Sequence, residues 1–143
     1  GLTAIEQGDL NYIYSLGEYV PGYLQHGLMA MGSWIDENEE FAQYLVDGFI
    51  DTTRWAAENK DEYIELSKKY IEGLDDDIRS EAYDIYMEVG IFGVNGGMER
   101  EQLEGTIAIE ESLGSFGDVA PPAIEVWSDP RFVEDYLERN GRQ

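Results

Sequence analysis

Asn38-Glu39-Glu40-Phe41 opens, and Arg54-Trp55-Ala56-Ala57-Glu58-Asn59 closes, the stretch that decides how this sequence folds. Between them Phe41, Leu45, Phe49 and Thr52, with Trp55, recur every three or four residues and so share one face of a helix that starts near Asn38. Carboxylates at the front of such a helix are favoured by its dipole. Asn59, followed three residues later by Glu62, has the spacing of a capping box. It opens a second helix on which Tyr63, Leu66, Ser67 and Tyr70 recur at helical spacing.

Toward the C-terminus, Asp75 is placed to cap a third helix, with Ile78, Ala82, Ile85, Tyr86 and Val89 inward and Gly90 just past its end. Ile91 to Gly97 holds three glycines and reads as a loop. A fourth helix, about Glu99 to Leu113, buries Leu103, Ile107 and Leu113 and stops at Gly114. Pro121-Pro122 imposes an extended stretch. Asp129-Pro130 then starts a last helix that buries Phe132, Val133, Tyr136 and Leu137.

Toward the N-terminus the pattern changes. Leu2 to Gly8 reads as a short helix, and Asn11-Tyr12-Ile13-Tyr14-Ser15 as a β-strand of aromatic and β-branched residues. Pro21-Gly22 marks a turn. His26-Gly27-Leu28-Met29-Ala30-Met31 fits a second buried strand, although six residues do not separate a strand from a buried helical piece. The expectation is an α/β chain dominated by helices. A strand-containing segment covers residues 1–32 and a helical part covers 33–143, within one domain.

The 143 residues carry 31 Asp+Glu against 9 Lys+Arg, a formal charge of 9 − 31 = −22. Apolar residues make up 43% and aromatics 13%, enough to build a core, so the acidity is not that of a disordered tail. No basic patch exists to displace counterions from phosphates, which argues against nucleic acid, and the charge argues equally against anionic membranes. The absence of Cys excludes disulfides, iron–sulfur clusters and thiolate zinc sites. One His, His26, excludes a multi-histidine metal site within a chain. No apolar run is long enough to span a bilayer, and no charged-then-apolar leader stands at the start. The chain opens at Gly1 without Met, as a processed product or a fragment would.

The acid is spread along the whole chain. Its densest clusters, Asp36-Glu37-Asn38-Glu39-Glu40 and Asp75-Asp76-Asp77, fall where helices begin, and neither has calcium-loop spacing. Such a charge destabilises a compact state by self-repulsion unless salt screens it. In molar salt the Debye length is about 3 Å and the repulsion nearly vanishes. An even spread fits the salt-adapted surface of a halophile better than the directed stripe of a nucleic-acid mimic.

No nucleophile–base–orienter set is visible in the sequence. Gly93-Val94-Asn95-Gly96-Gly97 lacks the Lys and the spacing of a phosphate-binding loop. Trp34, Trp55 and Trp127 are scattered and read as core, and carboxylate pairs are inevitable in so acidic a chain. No catalytic residue, metal ligand or cofactor is expected.

The order of segments carries a resemblance. Ala4-Ile5-Glu6-Gln7-Gly8-Asp9-Leu10-Asn11-Tyr12 resembles the helix-to-strand step of the solute-binding proteins of ABC importers. Pro21-Gly22-Tyr23 with Gly27-Leu28-Met29-Ala30 resembles their return strand. Asn38-Glu39-Glu40-Phe41, running to Arg54-Trp55-Ala56-Ala57-Glu58-Asn59, is similar to a helix of the nitrate/sulfonate/bicarbonate and thiamine-precursor class. Leu103-Glu104-Gly105-Thr106-Ile107, Leu113-Gly114 and Ser128-Asp129-Pro130-Arg131-Phe132-Val133 are similar to its closing helices. Each motif is degenerate and their order is the specific part. Both Asn-Pro steps of the class lack Pro here, at Asn38-Glu39 and Asn59-Lys60.

The resemblance covers nearly the whole chain and matches the C-terminal half of the class. It implies part of a two-lobed, periplasmic-binding-protein-like α/β clamp that holds a small-molecule solute in its cleft. It further implies an ABC permease as partner, no cofactor, and a place at the extracellular face of the cell membrane. Carried onto this chain, the strand end supplies Tyr14, Ser15 and Tyr19, and the return supplies Gln25 and His26, as ligand-binding residues. Tyr and Ser would offer hydrogen bonds and a ring face without charge. Two other readings stand beside it: a pyrimidine-synthase-like enzyme of the same superfamily, and an acidic helical interaction domain. Two lone strands leave open edges, so self-association of the chain is also expected.

Overall fold

The structure, a computed structural model, describes Ile5, Gly8, Asn11, Tyr23, Leu24, residues 26–97 and residues 99–143. Among the described residues there are seven helices and no strand. They are α1 (Gly32–Glu37), α2 (Glu39–Glu58), α3 (Lys60–Tyr70), α4 (Asp76–Glu88), α5 (Arg100–Ser112), α6 (Ile124–Trp127) and α7 (Arg131–Asn140).

The α/β expectation is therefore corrected: among the described residues the arrangement is all-helical, which is not a periplasmic-binding-protein-like fold. His26–Met31, expected as a strand, is irregular chain on the surface, with Met29 96% exposed. An apolar run makes a strand only when a neighbouring strand takes its hydrogen bonds and a layer covers its face. The other expected strand, Asn11–Ser15, lies outside the described residues apart from Asn11, as does most of the Leu2–Gly8 helix.

The helix boundaries follow local chemistry. Glu39 and Glu40 occupy the first turn of α2, Asp61 and Glu62 that of α3, and Asp76 and Asp77 that of α4. Lys68 and Lys69 sit in the last turn of α3, where a helix dipole favours cations. Asn59 caps in the opposite sense from the expected box. It makes no side-chain bond to α3, and its amide Nδ2 donates instead to the Trp55 carbonyl at 2.8 Å, closing α2. Asn38 treats the end of α1 in the same way, donating to the Trp34 carbonyl at 2.9 Å.

The chain divides into two compact units. One is built on Thr53–Phe92, the other on Gly22–Thr52 with Gly93–Gln143, and α2 contributes to both. In the first, α3 and α4 pack together around Tyr83, whose ring lies 5.3 Å from that of Tyr63 and 5.8 Å from that of Phe92. The Tyr83 hydroxyl donates to the carbonyls of Ala56 and Ala57, both at 2.9 Å. Ile78 and Ala56 are also buried in this unit. Arg79 is buried as well. Its guanidinium closes the end of α3 by donating to the Ile71 carbonyl and, at 3.2 Å, to Ser67 Oγ.

In the second unit, Ile50 of α2 meets Tyr136 and Leu137 of α7, with Val46 and Val133 at the edge of the cluster. Leu103 and Phe132 are buried in this unit too. Gln43 Nε2 donates to the Phe132 carbonyl at 2.9 Å and to Asp47 Oδ1 at 2.7 Å, tying α2 to the start of α7. The last helix buries Phe132, Tyr136 and Leu137 and half-buries Val133, as expected. The inner face expected of α4 holds only at Ile78 and, in part, Ala82, and the face of α2 that carries the large apolar residues is not the buried one. Phe41, Leu45, Phe49, Thr52 and Trp55 are all exposed, while Ala42, Ile50 and Ala56 are buried. On α4, Ile85 and Val89 are exposed and Tyr86 is only partly covered, by Phe92, while Arg79 and Tyr83 are buried with Ile78. Leu113 is exposed beyond the end of α5.

Candidate functional site

Of the five residues expected to grip a ligand, Tyr14, Ser15, Tyr19 and Gln25 lie outside the described residues. His26 is exposed on irregular chain. The nearest described structure is the pair Tyr23 and Leu24, which docks on α5. The Leu24 amide donates to Thr106 Oγ1 at 2.9 Å, and that hydroxyl donates in turn to the Gln102 carbonyl at 2.8 Å. The Tyr23 hydroxyl donates to Glu110 Oε1. Ser115, just past the helix, donates to the other oxygen of the same carboxylate.

Glu110 is thus a carboxylate held by two O–H donors. The bonds from Ser115 and Tyr23 keep its pKa below the ordinary carboxylate range, and the bond to Glu110 pushes the Tyr23 hydroxyl above its own. A carboxylate stabilised in this way stays charged near neutral pH. It suits acceptance of a hydrogen bond or attraction of a cation, and does not suit proton transfer. Sequence reading missed Glu110 and Ser115 because only the docking of residues 23 and 24, more than eighty positions away, singles them out. Tyr23 itself was quoted in the resemblance, as part of Pro21-Gly22-Tyr23.

Another cluster needs a chemical reading. Tyr63, Tyr83 and Phe92 bring their ring centres within 5.3 to 5.8 Å of one another, and Tyr86 meets Phe92 edge-on at 6.3 Å. Rings this close in edge-on and tilted contact fill their own space, as a small aromatic core does, whereas a cage for a cation holds its rings apart. The Lys60 ammonium lies 5.4 Å from the Tyr83 ring centre and pairs with Asp84 at 2.5 Å. Among the described residues no group of three or more His, Asp or Glu side chains is arranged to hold a metal ion. None of the described helices is long and apolar enough to cross a membrane.

Comparison with protein-family models found no match, and comparisons with curated proteins and with solved structures found none either.

Proposed function

We propose that the chain is the helical portion of an extracellular solute receptor that delivers a small molecule to an ABC importer. The carrying observation is where the resembling motifs fall. Arg54-Trp55-Ala56-Ala57-Glu58-Asn59 coincides with the α2–α3 joint, where Arg54 and Ala56 are buried, Tyr83 bonds the Ala56 and Ala57 carbonyls, and Asn59 closes the helix. Ser128-Asp129-Pro130 coincides with the entry to α7, with Pro130 as its N-cap. The proposal concerns function; the clamp-like sheet is no part of it.

In this reading Tyr14, Ser15, Tyr19, Gln25 and His26 contact the solute, and Tyr23, whose hydroxyl bonds Glu110, lies among them in the chain. Of the solutes the resemblance offers, a fixed carboxylate disfavours nitrate, sulfonate or bicarbonate and favours a neutral or cationic aminopyrimidine, the thiamine-precursor class. The synthase-like alternative has less support, because the only histidine stands exposed on irregular chain.

Deleting the gene in its own host, and measuring uptake of labelled aminopyrimidines, nitrate and sulfonates, tests the proposal. Uptake of an aminopyrimidine should fall and return when the gene is restored. Unchanged uptake of every solute would overturn the receptor reading, and loss confined to an anion would overturn the choice of solute.

A further inference from the structure

Three turns of α2 carry an uncovered apolar stripe. Phe41, Tyr44 and Phe49 are 55%, 64% and 60% exposed, and Leu45, Gly48 and Thr52 are exposed between them. At 100° per residue these six lie on one arc of the helix, opposite the side on which Ile50 meets α7. Gly48 is a notch in the stripe. A side chain there would meet nothing within 4 Å, and glycine is a poor residue for a helix interior.

The stripe is self-complementary. Laid antiparallel on itself about a two-fold axis between residues 46 and 47, it sets Phe41 against Thr52, Tyr44 against Phe49, and Leu45 against the Gly48 notch. A two-fold axis makes each of these contacts twice. Glu40, Asp47 and Asp51 line one flank of the same turns. Asp47 is paired with Arg139, whereas Glu40 and Asp51 accept from the neutral hydroxyls of Tyr44 and Tyr136. In the antiparallel arrangement that flank meets itself, so two copies repel at low salt and approach only when the Debye length shrinks to about 3 Å in molar salt.

We propose that, in molar salt, a second copy of this chain docks antiparallel on the exposed stripe of α2, each Leu45 seated in the Gly48 notch of the other. Aromatic side chains bury about 150–250 Å² each, so covering the exposed parts of four large residues buries on the order of 400 Å² per copy. Stable interfaces bury about 800 Å² per partner. The dimer is therefore weak, strengthens with salt, and forms toward millimolar concentration. It does not rest on the receptor reading.

Sedimentation equilibrium from micromolar to millimolar protein, at two molar-range KCl concentrations, tests it. The average mass should climb from that of one chain toward twice that value, further at the higher salt. Gly48→Leu should hold the mass at that of one chain while leaving the helical circular dichroism intact, because its site is open in the single chain. As a positional check, the chain has no cysteine of its own. A mixture of Leu45→Cys and Gly48→Cys chains should therefore cross-link to each other faster than either does to itself. A single-chain mass throughout, a dimer untouched by Gly48→Leu, or growth past two copies would each overturn the proposal.

Discussion

Gly96 and Gly97 sit side by side with positive φ values of 84° and 65°, yet they differ in what surrounds them. A Cβ on Gly96 would stand 2.6 Å from Val133 Cγ1 and 3.3 Å from Ile50 Cδ1, whereas one on Gly97 would meet nothing within 4 Å. The backbone conformation alone costs an alanine about 1–2 kcal/mol. Overpacking adds about 1–3 kcal/mol where the neighbours cannot give way. Gly97→Ala should therefore lose only the smaller amount and Gly96→Ala the sum, read from denaturant unfolding in molar KCl. Equal losses would mean that Val133 moves aside freely. The Tyr83 hydroxyl ties α4 to the end of α2. Tyr83→Phe keeps the aromatic contacts and removes both bonds to the end of α2. It should cost about 1 kcal/mol, the net worth of a typical hydrogen bond, with an unchanged helical spectrum.

The contact of α2 with α7 organises the second unit, and two changes probe it. Leu137 is buried against Ile50 and Tyr136. Leu137→Ala should cost about 2–5 kcal/mol by leaving a cavity, which thermal unfolding would register as a large drop in midpoint. Asp47 gives the same contact a pH dependence. Burial opposes its charge, but hydrogen bonds from Arg139 and Gln43 outweigh that and leave its pKa below the ordinary value. A depressed carboxylate pKa contributes stability at pH above the unfolded value, and that contribution is lost as pH falls through the folded one. Wild type should lose stability on acidification below the ordinary carboxylate pKa more steeply than Asp47→Asn does, by no more than about 1 kcal/mol for a pair this open to solvent. Parallel pH profiles would remove Asp47 from the account. Helices α2 to α5 and α7 were legible in the sequence because their signals are local: periodicity, acidic first turns, and Pro130 before α7. The single turn of α6, Ile124–Trp127, was not legible, being too short to show a period. Which face each helix buries was only partly legible. On α2 the periodic stripe from Phe41 to Phe49 was found without a statement of which way it faces, and the side carrying Ala42 and Ile50 is the one covered. Periodicity finds stripes and does not say which of two meets a neighbour. On α4 the count missed Arg79 and Tyr83 because each is buried through acceptors on other segments, the Ile71 carbonyl and those of Ala56 and Ala57. His26–Met31 failed as a strand for a similar reason, since pairing is a tertiary property. The Tyr23–Glu110–Ser115 group could not be read from sequence at all.

The charge of the whole molecule sets the conditions under which these contacts exist. Cations are drawn to carboxylates throughout: Lys60 to Asp84, Arg100 to Glu104 and Glu125, Arg131 to Glu39 and Asp129, Arg142 to Glu99. Exposed pairs like these contribute about 0–1 kcal/mol each. With 9 basic residues for 31 acidic ones they leave most of the −22 unopposed. The cores are too modest to ignore that repulsion, because no described side chain is fully buried and many large apolar residues face solvent. It follows that the helices seen among the described residues persist because salt screens the surface they share. Thermal unfolding followed by far-ultraviolet circular dichroism, across KCl from about 0.1 to about 4 M, tests this most directly, since the Debye length contracts from about 10 Å to 3 Å or less over that range. The expected result is a helical spectrum whose unfolding midpoint rises steeply with KCl and whose folded signal is weak or absent at the low end. A strand-dominated spectrum, or a midpoint that does not move with salt, would contradict it.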